Sequence, residues 1–207
     1  MTEISIRRAA VQDIPYFYDV CLKTGDAGKD ATKLFNDPFI VGMYFVAPYL
    51  VYPDSICFAA DYNNKPQGYI VAVPDTLKFN CWMEDIWLPP LRERCPQHVV
   101  PQLALSEDER KIYSLLHNNH IESNNNGNSM QADYPAHLHI NLLPGIQGKG
   151  IGRSLIISVL AELGKSGIPG VHLGVNARNT GAIEFYKKMG FKILSEEEWG
   201  LKMGRRC

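Results

Sequence analysis

From Leu142 to Arg153 the chain reads LLPGIQGKGIGR, an apolar run that breaks into a glycine-rich turn. Glycines strip side chains from a turn so that successive backbone N–H groups can close on an anion, and a following helix adds the positive end of its dipole. The chemistry this permits is the holding of a phosphate or pyrophosphate, and spacing sorts the loop types that do so. A P-loop beginning at Gly145 requires Lys after Gly150, where Ile151 stands. A dinucleotide-binding turn using Gly148 and Gly150 requires a third glycine where Arg153 stands. It also requires an acidic residue after the next strand, which here ends in Asn176. A third pattern, Q/R-x-x-G-x-G/A, is satisfied by Gln147-Gly148-Lys149-Gly150-Ile151-Gly152, with Lys149 and Arg153 adding charge. A tight strand-to-helix turn with no ligand is the other reading of the same residues.

Other residues with chemical potential lie on either side of this loop. His137 and His139 alternate within HLHINLLP, so on a strand they share a face. Imidazoles with an ordinary pKa near 6.5 suit proton removal, and equally suit a structural hydrogen bond. Asp75 closes GYIVAVPD, where its carboxylate either holds an incoming ammonium or serves the turn after Pro74. Asn179 precedes a helical segment and is an N-cap residue. Tyr186, seven residues on, carries a phenol of ordinary pKa near 10, or is a core aromatic beside Phe185. Trp82, Trp87 and Tyr134 either wall an acceptor pocket or pack the segment that contains them.

The elements that must position these groups follow from periodicity and punctuation. ISIRRAA (4–10) reads as a short strand and residues 11–25 as a helix ending at Gly25. Within residues 26–54, DPFIVGMYFVAPYLVYPD (37–54) suggests a second helix and an irregular turn. SICFAADYNNKPQGYIVAVPD is a hairpin turning through NNKPQG. Residues 76–132 form an insertion containing an acidic helix, SEDERKIYSLLHNNH, and an asparagine-rich tract. After it come a strand over 137–144, a helix over 149–167, a strand over 171–176, a helix over 179–190 ended by Gly190, and a final strand beginning FKIL.

With 207 residues, 45% hydrophobic and 21% charged, the chain suits one domain, taken as 1–207. No apolar stretch is long enough to span a bilayer, and MTEISIRRAAVQDI has no apolar signal region. A cytoplasmic location is expected, or a nuclear one in a eukaryote. Five widely spaced cysteines without a CxxC pair read as free thiols, not as a metal site. Residues 1–144 carry 11 Lys and Arg against 17 Asp and Glu, whereas residues 145–207 carry 10 against 5. The basic part begins at the glycine loop, which fits an anionic ligand there. No basic run interleaved with aromatics points to nucleic acid.

The order strand, Q-x-x-G-x-G, helix, strand, then N-x-x-A-x-x-x-Y-x-x-x-G-F, written here by Asn179, Ala182, Tyr186, Gly190 and Phe191, resembles the GCN5-related N-acetyltransferase (GNAT) superfamily. The likeness is strong over 137–193. More narrowly, AHLHINLLPGIQGKGIGRSLI, GIPGVHLGVNARNTGAIEFYKKMGF, PYLVYPDSICFAA, GYIVAVPDT and WLPPLRERCP resemble the acetyltransferase-like domain of animal O-GlcNAcases and its stand-alone bacterial relatives.

The resemblance implies an α/β (α+β) fold with a central, mixed, mostly antiparallel twisted sheet flanked by helices. Two parallel strands splay apart in it to admit acetyl-coenzyme A. It implies pantetheine pairing along Ile140, Leu142 and Leu143, with the acetyl carbonyl near the N–H of Leu142. The pyrophosphate would lie on Gln147 to Arg153, with further contacts from Asn176 and Asn179. Tyr186 would protonate the leaving thiolate. His137 and His139, with Asp75 as a second candidate, would serve the amine, as a similar His-x-His pair does in arylalkylamine acetyltransferases. The partners implied are acetyl-coenzyme A and an amine acceptor, with a homodimer allowed. Two outcomes stay open: direct acetyl transfer, or a non-catalytic acetyl-coenzyme A-binding module.

Overall fold

The structure is a computed structural model that describes residues 4–100, 106–118 and 128–207. Its strands are β1 (Ile4–Arg8), β2 (Ile56–Tyr62), β3 (Lys65–Val73), β4 (Ala136–Leu142), β5 (Gly170–Asn176), β6 (Lys192–Glu197) and β7 (Gly200–Arg206). They form a sheet of order β1-β2-β3-β4-β5-β7-β6. Every neighbouring pair is antiparallel except β4 and β5. The asparagine-rich tract falls largely outside the described residues.

Each face of the sheet carries its own apolar layer. On one lie α8 (Ile151–Lys165) and α9 (Thr180–Lys188), with Leu155, Ile156 and Val159 packed on Ile70, Ala72 and Leu138. The other face carries α1 (Ile14–Leu22), α2 (Ile40–Phe45), α3 (Ala47–Val51), α4 (Thr76–Trp82), α5 (Leu88–Arg94) and α6 (Glu107–His117). There Phe17, Tyr49, Phe79 and Leu116 meet Tyr69, Val71 and Val73. Strand β3 is therefore buried on both sides, which is why GYIVAV reads as an unbroken apolar run. Helix α7 (Asn128–Asp133) leads into β4.

Three expectations change. The β2–β3 turn uses only Asn63 and Asn64, at φ +52° and +60°, a two-residue hairpin turn in which asparagine tolerates the left-handed conformation. Lys65 to Gly68 belong to β3 instead. The first helix begins later than expected, after a 3-10 turn over Val11–Asp13. Asp13 holds that turn, accepting from the Ala10 N–H at 2.9 Å and from Arg7 at 2.8 Å twice. Finally, FKIL does not begin the last strand. GLKMGRR forms β7 and inserts between β5 and β6, pairing with both. Its two glycines lie where close approach is required, since a Cβ on Gly200 would sit 2.1 Å from the Val175 carbonyl.

Candidate active site

Strands β4 and β5 pair only at Ala136–Val171 and His137–His172. Beyond those residues the two strands run on unpaired to Leu142 and Asn176. The β3–β4 register tells which backbone groups are left over. Leu143 donates its N–H to the Gln67 carbonyl at 2.9 Å, and antiparallel bonding alternates from there. His137, His139 and Asn141 spend their backbone groups on β3, whereas Leu138, Ile140 and Leu142 turn theirs toward β5. The Leu142 carbonyl accepts from Gln147 Nε2 at 2.7 Å. Ile140 and Leu142 thus provide the open edge, and Leu143, whose side chain packs in the α1-side layer, does not.

At the end of that edge the chain turns into α8 through two glycines with positive φ, Gly148 at +72° and Gly150 at +79°. A Cβ on either would meet no protein atom within 4 Å. Gly150 is the N-cap of a 15-residue helix and has no side chain to offer the first amides. The turn and the helix start together leave an open, backbone-lined space of the kind that can accept an anion. A cleft of 600 Å³ runs from it along Ile140 and Leu142 to Asn179, Phe185 and Tyr186, with Arg153 at its mouth. A cavity of 360 Å³ shares Ile140, Asn141, Asn179 and Tyr186 with the cleft and continues inward to Asn176, His139 and Phe45. Lys149 and Ile151 turn their side chains elsewhere. The Lys149 ammonium lies 5.1 Å from the Tyr62 ring centre, and Ile151 packs in the α8-side layer.

Asn179 caps α9, its Oδ1 accepting from the Ala182 N–H at 3.2 Å, and still lines both spaces. Asn176 Oδ1 accepts from the Arg178 N–H at 2.9 Å. Tyr186 is 8% exposed, with its ring between Phe185 and Phe191 at 5.5 and 5.7 Å. Burial pushes its phenol above the ordinary range, so the hydroxyl keeps its proton at neutral pH.

The histidine pair divides into two roles. Thr76 Oγ1 has one proton, which it gives to the Pro135 carbonyl at 2.7 Å, so at 2.9 Å it must accept from His137 Nδ1. That fixes the proton of neutral His137 on Nδ1 and leaves Nε2 to accept from Tyr49 Oη at 2.6 Å. Both nitrogens of His137 are therefore committed. His139, on the same face, has Tyr49 and Phe45 rings at 5.5 and 5.8 Å. Its nitrogens meet no hydrogen-bonding partner among the described residues. Burial lowers its pKa to about 4, leaving a neutral ring at pH 7.

Asp75 is not brought to this place. Its carboxylate caps α4, accepting from the Leu77 and Lys78 N–H groups at 3.0 and 3.1 Å, and it faces a separate cavity of 280 Å³ with Thr76 and Pro135. Nor do the three large aromatics wall the cleft. Trp82 and Trp87 stack at 6.0 Å, Trp87 Nε1 donates to the Met43 carbonyl, and Tyr134 packs beneath Arg206.

Several contributors escaped the sequence reading. The turn from Thr24 to Gly28 lines both spaces, and the Asp26–Arg178 ion pair at 2.8 Å ties it to the segment after β5. Asn141 donates to Thr24 Oγ1 at 2.6 Å and accepts from Tyr69 Oη at 3.1 Å. Continuing the alternation of His137 and His139 by one step would have found Asn141. The clustered turn residues of TGDAGKD were the signal for the other.

Burial lowers the pKa of His137, His139 and His172 alike. The unfolded chain, with ordinary imidazoles near 6.5, binds protons that the folded chain refuses. Stability is then level above about pH 6.5 and falls as pH drops from there toward 4. Thermal denaturation from pH 7.5 to 5 should show Tm falling by several degrees, and His139→Phe should flatten the dependence.

Known proteins share this fold. The acetyltransferase (GNAT) family model matches residues 120–191. The structure of SsHAT superimposes with a TM-score of 0.86 at 30% identity, covering 99% of this chain and 98% of that one. The PaiA N-acetyltransferase of Thermoplasma acidophilum, solved in complex with coenzyme A, shares the fold at a TM-score of 0.59 and 15% identity, over 99% of both chains. A 55-residue segment is 42% identical to the peptidyl-lysine N-acetyltransferase YjaB of Salmonella typhimurium, covering 27% of this chain and only 34% of that relative's length. The chain belongs to the GNAT acetyltransferase family.

Proposed function

We propose that the protein is an acetyl-coenzyme A-dependent N-acetyltransferase that passes the acetyl group directly to an amine within a ternary complex. The observation that carries this reading is the parting of β4 from β5 beside the uncapped, glycine-lined start of α8. Bound acetyl-coenzyme A supplies the acetyl group as an activated thioester.

The chain's own residues do the rest. The amides from Gly148 to Gly152, with Arg153, hold the pyrophosphate. Ile140 and Leu142 pair with the pantetheine arm as with an added strand, and their N–H groups steady the acetyl carbonyl as it gains charge. Asn179 and Asn176 bound the arm on the opposite side. His139 takes the proton lost by the attacking nitrogen as the C–N bond forms. Tyr186 gives its proton to the sulfur as the C–S bond breaks. His137 positions Tyr49 and takes no proton itself.

Cys21 lines the inner cavity, but burial raises its thiol to about 11. A protonated thiol is a poor nucleophile, which supports transfer without a covalent enzyme intermediate. No helix among the described residues is long and apolar enough to cross a membrane.

Initial rates measured while varying both substrates test the scheme. Intersecting double-reciprocal lines are expected, and parallel lines would indicate a covalent acetyl-enzyme instead. If no amine raises thiol release above background hydrolysis, the protein is a binding module.

A further inference from the structure

The family match begins at residue 120, so it says nothing of the helices on the α1 side of the sheet. There lies a pocket of 190 Å³ between α2, α3, α4 and β4, which holds Phe45, Tyr49, Phe79, Asn80, Met83 and His139 on its walls. Phe45 and His139 also line the inner cavity that Tyr186 closes. The pocket and the inner cavity therefore share the ring assigned above to receive the amine proton.

Its chemistry is narrow. Tyr49 and Phe79 stack at 4.5 Å, with the His139 ring edge-on to Tyr49 at 5.5 Å. Tyr49 Oη gives its proton to His137, a further wall residue whose two nitrogens are both taken, and Tyr44 adds another ring and hydroxyl. No charged side chain is among its described walls. His139 and Asn80 are the wall side chains whose polar groups take no hydrogen bond from a described residue. A polyamine finds no carboxylate here for its second cation. The several hydroxyls of an amino sugar would outnumber the groups able to satisfy them, each unmet one being costly. A flat ring gains edge-to-face and stacked contacts from such walls. The volume suits one ring, since a cavity of about 150 Å³ admits benzene.

Building on the acetyltransferase reading, we propose that this pocket seats the acceptor, a primary amine carried by a short tether on a single aromatic ring, with its nitrogen at His139. The amine attacks as the free base, so its lone pair forms the new C–N bond while His139 takes the proton.

Two measurements test this. Thiol release is compared for 2-phenylethylamine, spermidine, glucosamine and Nα-acetyl-lysine amide, in the wild type and in the pocket-filling variants Met83→Trp and Asn80→Phe. Separately, the product N-(2-phenylethyl)acetamide is titrated calorimetrically without acetyl-coenzyme A. The expected result is that 2-phenylethylamine exceeds the others in kcat/KM by about tenfold, a difference of ~1.4 kcal/mol. Both variants should lose about tenfold of it, with acetyl-coenzyme A affinity retained as the sign of an intact fold. Equal or better turnover of any other amine overturns the proposal, as does indifference to both variants. Amide binding without acetyl-coenzyme A binding keeps the pocket and refutes the enzyme. Acetyl-coenzyme A binding without amide binding or amine turnover refutes the pocket, and loss of both bindings refutes both.

Discussion

Tyr186→Phe lowers kcat for amine acetylation by about 10²-fold, the lower end of what a positioned general acid contributes, with little change in KM for acetyl-coenzyme A. The substitution removes one oxygen and keeps the ring, which packs between Phe185 and Phe191. The apolar wall shared by cleft and inner cavity therefore survives. What disappears is the proton that burial holds on the phenol. Without it, the departing thiolate must take its proton from water. Steady-state kinetics at saturating amine give the answer. A rise in KM with unchanged kcat would mean that the ring alone matters.

Gly150→Val weakens acetyl-coenzyme A binding by about 100-fold, equivalent to ~2.7 kcal/mol, while the fold persists. Gly150 sits at φ +79°, so a β-branched residue costs about 1–2 kcal/mol of stability. No protein atom lies within 4 Å of the added Cβ, hence the folded chain meets no clash. The branched side chain instead enters the open space over the first amides of α8, the place proposed above for the pyrophosphate. Calorimetry and thermal denaturation on the same variant separate the two effects. Full affinity in Gly150→Val would remove the cradle from the mechanism.

What could be read from the sequence was local. Glycine spacing and helical periodicity mark the turn into α8 and the run through β5 to α9, because backbone freedom and 3.6-residue burial are properties of short segments. Asn179 was legible as a cap for the same reason. The division of labour between His137 and His139 was not. It depends on Thr76 and Tyr49, which lie 61 and 88 positions away in the chain. Asp75 misled because a carboxylate after Pro74 has the composition of a binding group and of a helix cap, and only the Leu77 and Lys78 amides decide between them. Strand β7 was missed because GLKMGRR lacks the alternation of a half-buried strand. Its place is set by partners on both sides, β5 and β6. The aromatic pocket draws its walls from α2, α3, α4 and β4 and leaves no signature in any one of them.

The central claim is that the gap between β4 and β5 and the glycine turn beside it form one site for acetyl-coenzyme A. Calorimetric titration of acetyl-coenzyme A into the wild-type protein tests this most directly. The account predicts a single site per chain with Kd on the order of 10 µM or tighter. No measurable heat and no competition at millimolar ligand would contradict it.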